Sequence, residues 1–345
     1  MKIVYCLLEM NTPGGIGRVA SLKANYLAKL GWDVYIITTD QNGLPPYYYL
    51  DSNIKLIDLG LNIQESLANC SYWKWYFRRK KIFQQHFLKL SSLLDEIKPD
   101  FVVSTFSSEA NFLYKIKDGS KKILECHFNH DYQYIMAKVY EYGRLKSILV
   151  KMKTMNDERL VKKYDAFVCL THEDKQLWPR LSNIYVIPNM TSFSDTGQNI
   201  QRENVVLAVG HFNRQKSFDK LIRIWRLICS KHPQWSLHIY GAGEDEAVYR
   251  KLINKLDLNH SVLLHKPTDK IQELYTTSSI LCMTSTYEGL PMVLLEAMAC
   301  GLPCIAYTCK CGPKDVIADN VTGFLIPEDD ERGFAEKLSI LMGDV

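Results

Sequence analysis

One feature limits the possible folds of this chain more than any other. Short apolar, β-branched runs alternate with longer stretches of helical periodicity from one end to the other. Parallel strands need a crossover of a dozen or more residues between them, and that crossover is usually a helix. The rhythm therefore predicts βα units wound into parallel sheets, an α/β fold. In the first half, strands are expected over 3–8, 34–38, 54–58, 101–104, 123–126 and 166–170, with helices over 19–30 and 83–97. A last strand from Tyr185 is stopped by Pro188. The polar stretch 191–204 reads as a linker, after which the rhythm restarts. Strands are predicted over 205–209, 237–240, 262–264, 280–283 and 304–307. Helices are predicted over 218–231, 246–256, 270–277, 292–299, 314–317 and 331–342. The expected organisation is two Rossmann-like, doubly wound domains, 1–190 and 205–345, facing each other across a cleft at the carboxyl ends of their strands.

The length of 345 residues suits two domains, and 47% hydrophobic with 23% charged residues excludes a disordered or fibrous chain. No apolar run approaches the roughly 18–20 residues that span a bilayer. The opening Met1-Lys2-Ile3-Val4-Tyr5-Cys6-Leu7-Leu8 is cut short by Glu9, so it reads as a buried strand and not as a signal peptide. Ten cysteines are scattered along the chain; the cluster Cys300, Cys304, Cys309 and Cys311 lacks the paired knuckles of a zinc site, so no metal is expected there. Reduced thiols point to the cytoplasm. Residues 1–190 hold 26 Lys+Arg against 19 Asp+Glu, a net of +7, whereas 191–345 hold 16 against 19, a net of −3. The basic half is expected to face an anionic partner. No nucleic-acid-binding motif is present, which leaves a membrane surface or a phosphorylated lipid.

Three constellations carry the chemistry. Gly14-Gly15-Ile16-Gly17-Arg18-Val19-Ala20 follows the first strand and opens a helix, where backbone amides can approach an anion. Gly15, Gly17 and Ala20 also match G-x-G-x-x-A, with Asp40 near the end of the second strand, so a dinucleotide site is a competing reading. The loop from Glu9 to Pro13 is longer than that fingerprint requires, and a plain structural turn is a third possibility. Next, Gly210-His211-Phe212-Asn213-Arg214-Gln215-Lys216-Ser217-Phe218 lies between a strand and a helix, where cations can neutralise a diphosphate. Last, Glu288-Gly289-Leu290-Pro291 leads into a helix whose first turn offers free amides, and Glu296 is embedded among Val293-Leu294-Leu295 and Ala297-Met298-Ala299. A carboxylate in such an apolar stretch is costly unless it is paired or binds a ligand.

The two glutamates, with their E-G-L-P and E-A-M-A-C-G-L-P surroundings, resemble the E-x7-E signature of glycosyltransferase family 4, the retaining GT-B enzymes. The likeness extends over the Gly14-Gly15 loop, His127, Pro188-Asn189, the 210–216 segment, Tyr240-Gly241-Ala242-Gly243 and Asn320-Val321-Thr322-Gly323-Phe324-Leu325. It implies a nucleoside diphosphate sugar as donor, a UDP-sugar by analogy, and a glycan or lipid-linked acceptor. By the same resemblance Glu296 would hold the ribose and Lys216 the diphosphate. Glu288, with the amides of Gly289 and Leu290, would contact the transferred sugar and phosphate. Gly241 and Gly15 would also face the donor, and His127 would lie over the donor sugar. The family usually has arginine where His211 stands, so the clamp would rest on Lys216, Arg214 or a protonated His211. The resemblance further implies transfer with retention, no cofactor and no metal, with cations and helix dipoles steadying the leaving group.

The run Tyr72-Trp73-Lys74-Trp75-Tyr76-Phe77-Arg78-Arg79-Lys80-Lys81 mixes interfacial aromatics with cations. Trp73, Trp75, Arg78, Arg79, Lys80 and Lys81 are read as a peripheral patch for an anionic membrane carrying the acceptor, against a solvated basic helix with core aromatics. A sugar-nucleotide epimerase and a non-catalytic nucleotide-sugar-binding protein are the alternatives to a transferase.

Overall fold

The structure, a computed structural model, describes residues 1–68, 71–178, 181–194 and 201–343. From the N-terminus the strands are β1 (Lys2–Leu7), β2 (Asp33–Thr38), β3 (Lys55–Asp58), β4 (Phe101–Ser104), β5 (Lys121–Glu125), β6 (Ala166–Cys169) and β7 (Ile184–Val186). Between them lie α1 (Gly15–Lys29), α2 (Ile63–Leu67), α3 (Tyr72–Ile97), α4 (Tyr132–Val139), α5 (Arg144–Val161) and α6 (His172–Leu177). The seven strands form one parallel sheet in the order β3-β2-β1-β4-β5-β6-β7. Ile3 to Leu7 are all buried, as a strand covered by helices on both faces requires.

The second half repeats the plan. Strands β8 (Glu203–Val209), β9 (Ser236–Tyr240), β10 (Val262–His265), β11 (Ser278–Met283), β12 (Cys304–Tyr307) and β13 (Gly323–Ile326) pair in parallel in the order β10-β9-β8-β11-β12-β13. Helices α7 (Phe218–Ile228), α8 (Glu246–Lys255), α9 (Ile271–Thr277), α10 (Met292–Ala299), α11 (Pro313–Val316) and α12 (Glu331–Gly343) connect them. Fully buried Trp225, Tyr249 and Phe212 pack with Ile239, Ile280 and Phe334 into one core. A single large aromatic removes about 150–250 Å² from water, so this cluster dominates the sheet–helix packing.

The chain divides into two compact units. The first holds Met1–His127, Lys151–Leu170 and Lys175–Met190; the second holds Thr191–Val345 together with Phe128–Val150 and Thr171–Asp174. Two segments that sequence places inside 1–190 thus pack with the second unit. Of the linker expected over 191–204, residues 195–200 lie outside the described residues, and β8 begins inside it at Glu203.

Strand edges in both sheets agree with the βα rhythm to within a few residues. Helices α2, α4 and α6 have no counterpart among the expected helices, and three further elements differ. Helix α3 starts at Tyr72 and not at residue 83, because its first turns bury almost nothing and so carry no apolar stripe. Helix α5 escapes detection for a related reason: Ile148, Leu149, Met152 and Met155 are exposed, so its apolar residues do not mark a core face. Strand β13 is short and begins at a glycine.

Candidate functional site

Strands β8 and β11 are hydrogen-bonded neighbours at the centre of the second sheet, where the strand order reverses. In doubly wound sheets the crevice outside the carboxyl ends at that point is the ligand site. The loops leaving these strands, 210–217 and 284–291, are tied to each other. Thr286 N donates to Gln215 O at 2.9 Å, Gln215 Nε2 donates to Tyr287 O at 3.0 Å, and Thr284 Oγ1 donates to the carbonyls of Lys216 and Ser217 at 3.1 Å each. This stitching brings Lys216 Nζ to 2.6 Å from Glu288 Oε1. The side chains are 18% and 9% exposed, so the pair is largely withdrawn from water and one edge remains open.

Pro291 caps α10, and Glu296 lies within that helix at 2% exposure. Tyr275, fully buried at the end of α9, donates its hydroxyl to Glu296 Oε2 at 3.1 Å. The embedded carboxylate is therefore oriented by the protein and not left to snorkel. Leu290 is buried and Gly289 half-buried just ahead of the helix.

The other predicted donor residues take different positions. Gly241 follows β9, and a Cβ there would stand 2.0 Å from Gly210 O and 2.6 Å from the Phe212 ring. Only glycine lets the loops after β8 and β9 close together, as the bond from Phe212 N to Ala242 O at 2.8 Å confirms. His211 is exposed and faces Glu244, Nε2 to Oε2 3.5 Å. Arg214 lies over the Tyr140 ring, 5.6 Å from its centroid, and donates to Val139 O at 3.3 Å. Of the three cations considered for the diphosphate, only Lys216 meets a glutamate of the signature.

Residues 128–131 and 171–174 brace the loop after β11 and the loop after β12 within the second unit, a contribution no sequence signal announces. Asn129, fully buried, donates Nδ2 to the Glu288 carbonyl at 2.7 Å. Asp131 bridges His130, Nδ1 to Oδ1 2.6 Å, and the ammonium of Lys310. Burial alone would raise the Asp131 carboxyl, but the bonds from Lys310 and His130 outweigh it and hold it below the usual range. Cys311 N donates to Glu173 Oε2 at 3.1 Å, and His130 N to Asp174 Oδ1 at 2.7 Å.

In the first unit, Gly15 opens α1 with nothing within 4 Å of a would-be Cβ and with no left-handed backbone. Packing within the unit gives no reason for glycine there. Asp40 does not face a ribose: Oδ1 accepts from Ile63 N at 2.9 Å and Oδ2 from Gln64 N at 2.8 Å, so both oxygens cap α2. This removes the acidic partner of the dinucleotide reading. His127 lies just past β5, 3.3 Å from Glu125 Oε2, and Lys23 Nζ reaches both Glu125 oxygens at 3.0 Å. Burial would raise Glu125, yet the bonds from His127 and Lys23 pull it down to about 2. Neither Glu125 nor Lys23 was legible as a partner of His127 or as a candidate site residue; only the fold brings α1 to the end of β5.

The aromatic–basic run occupies the first turns of α3. Trp73, Tyr76 and Phe77 are exposed, so they are not core aromatics. Arg79 stacks over Trp75 at 5.2 Å and Phe83 at 5.0 Å, and Arg78, Lys80 and Lys81 are exposed. No described helix is long and apolar enough to cross a membrane. Among the described residues no three His, Cys, Asp or Glu side chains gather as metal ligands do. The nine described cysteines are buried and free of disulfides.

Residues 13–193 match the family described as Glycosyltransferase Family 4, and residues 191–344 match Glycosyl transferases group 1. The chain belongs to glycosyltransferase family 4. This family 4 glycosyltransferase is 30% identical to an uncharacterised glycosyltransferase of Haemophilus influenzae over 99% of its own length and 91% of the relative's. It is 29% identical to the amylovoran biosynthesis glycosyltransferase AmsD of Erwinia amylovora, covering 99% and 90%. A Campylobacter jejuni α-1,4-N-acetyl-D-galactosaminyltransferase, named for a GalNAc-containing diNAcBac-PP-undecaprenol, is 26% identical over 100% of this chain and 89% of that protein. Among solved structures, Staphylococcus aureus TarM in complex with fondaparinux, alpha-GlcNAc-glycerol and UDP superposes with a TM-score of 0.80 at 16% identity, covering 99% and 92%. That likeness concerns the fold, and the two parallel sheets of this glycosyltransferase are the Rossmann-like halves of a GT-B enzyme. Family membership sets aside the epimerase, the binding protein and the dinucleotide enzyme.

Proposed function

We propose that this glycosyltransferase moves a hexose or N-acetylhexosamine from a UDP-sugar to a glycan or lipid-linked acceptor in surface polysaccharide assembly, with retention of configuration and without a divalent metal. The observation that carries this reading is the pairing of Lys216 with Glu288 beside the buried, tyrosine-held Glu296, all at the reversal point of one sheet. Lys216 supplies the positive charge a diphosphate leaving group needs, and the free amides at the start of α10 add a helix N-terminus. Glu296 accepts from ribose hydroxyls, Glu288 and the Gly289 and Leu290 amides hold sugar and phosphate, and His127 serves the transferred sugar.

The step balances without a cofactor. The acceptor hydroxyl oxygen bonds to the anomeric carbon, the bond from that carbon to the β-phosphate oxygen breaks, and the hydroxyl proton passes to the departing phosphate. The UDP in the TarM complex supports the choice of nucleotide, and the polyprenol-linked substrate of the Campylobacter relative supports the acceptor class.

A thermal-shift panel of UDP, GDP, ADP and their sugars tests the reading. A ligand at a hundred times its Kd stabilises by about 2.7 kcal/mol. UDP and UDP-sugars are expected to raise the melting temperature of the unsubstituted protein, with and without EDTA, and Glu296→Gln to lose most of that rise. No shift with any nucleotide, or a shift only with added magnesium or manganese, refutes it.

A further inference from the structure

We infer that Asn129 is a positioning residue: by holding the Glu288 carbonyl it aims the Gly289 amide at the donor. The inference rests on the donor site proposed above and adds a residue that the signature does not contain.

Asn129 is completely buried, and its Nδ2 lies 2.7 Å from Glu288 O. A carbonyl only accepts, so the nitrogen end of the side-chain amide must face it. Its Oδ1 accepts no hydrogen bond among the described residues. The side chain is thus held chiefly through Glu288. In a planar trans peptide the C=O and the following N–H point in opposite directions. No cis peptide occurs among the described residues. Fixing the oxygen of the Glu288–Gly289 peptide therefore fixes where the Gly289 N–H points, away from Asn129. Glycine at 289 has no Cβ to limit its torsions, so this peptide depends on an outside restraint.

Further bonds hold the plane from the sides. Gln215 Nε2 binds the preceding carbonyl, that of Tyr287, at 3.0 Å. Lys216 binds the Glu288 carboxylate at 2.6 Å. Gly312 lies across the next turn, where a Cβ would stand 2.5 Å from Pro291 Cδ. Three side chains thus orient three successive groups: the Tyr287 carbonyl, the Glu288 carbonyl and the Glu288 carboxylate. Asn129 is the one that controls the amide.

The test is calorimetry of Asn129→Ala with UMP and with a UDP-sugar, supported by melting curves. A misdirected Gly289 amide affects the diphosphate and sugar end of the ligand and spares the nucleoside end. Affinity for the UDP-sugar is expected to fall about tenfold or more while that for UMP changes less than about twofold, the range of one hydrogen bond to a charged group. Asn129→Asp presents a second oxygen to the carbonyl and should give the same split. Equal losses for both ligands would mark Asn129 as merely structural, and unchanged affinities would show that the amide needs no restraint; either overturns the inference. If the unsubstituted protein binds no nucleotide at all, the donor-site reading falls together with this one, whereas normal wild-type binding beside an unaltered Asn129→Ala defeats this one alone.

Discussion

Lys216 Nζ stands 2.6 Å from Glu288 Oε1, although the two residues are 72 positions apart. The cation assigned to a phosphate is thus already balanced by a carboxylate, which keeps it in place before a ligand arrives. Removing one partner of a largely buried pair leaves the other charge uncompensated.

Lys216→Ala is accordingly expected to lower both stability and nucleotide-sugar affinity, with a smaller loss for the bare nucleoside. Adding Glu288→Gln should recover most of the melting temperature, because no buried charge is left alone, yet it should not recover donor binding. Calorimetry and melting curves on the single and double variants decide this. Recovery of binding together with stability would make Lys216 a structural residue only.

A second prediction concerns His127. Glu125 is tied to Lys23 at 3.0 Å and to His127 at 3.3 Å. Glu125→Gln or Lys23→Met should free the imidazole, and misplacement by about 1 Å can cost a hundredfold in rate. Turnover is expected to fall by about tenfold to a hundredfold with donor affinity nearly unchanged. Parallel losses of both would show that the cluster supports the fold and not the reaction.

Two buried groups give stability opposing pH dependences. Burial pushes Glu109 from 4.5 up to about 7, offset in part by the bond from Ser104 Oγ at 2.7 Å. Its raised folded value means a contribution present in full below 4.5 and lost as pH rises through 7. Burial pushes His86 from 6.5 down to about 4, so its contribution is present above 6.5 and lost as pH falls through 4. Between 4.5 and 6.5 the two slopes oppose each other. Wild-type stability to denaturant should be nearly level there and then fall toward neutrality. Glu109→Gln should instead rise from pH 4 to 6.5, stay level above, and exceed wild type at pH 8 by about 3 kcal/mol. A Glu109→Gln profile parallel to that of wild type would contradict the assignment.

The start of α3 is expected to bind anionic vesicles. Each Lys or Arg near such a surface contributes about 1 kcal/mol, so replacing Arg78, Arg79, Lys80 and Lys81 by Ser should shift partitioning by orders of magnitude. Exposed Trp73, Tyr76 and Phe77 supply interfacial aromatics. Co-sedimentation should weaken as salt rises, since the Debye length falls from about 10 Å at 0.1 M to about 3 Å at 1 M. Donor binding should be untouched. A wild-type protein that stays in the supernatant at low salt assigns the patch to something other than a membrane.

Periodicity along the chain was enough to locate two wound sheets, because a buried parallel strand and an amphipathic crossover helix each impose a pattern on neighbouring residues. Glu288 and Glu296 were legible as candidate site residues for a similar reason: they share one loop and helix, and a carboxylate set in an apolar run is conspicuous at short range. What acts across the fold left no such trace. Asn129 and Glu288 are 159 residues apart, Lys23 and Glu125 are 102 apart, and the capping by Asp40 of Ile63 and Gln64 spans 23 and 24 residues. Before folding, an asparagine, a lysine and an aspartate are ordinary polar residues at their positions. Only the tertiary structure, which brings together segments far apart in the chain, decides which of them meets which carbonyl, carboxylate or amide.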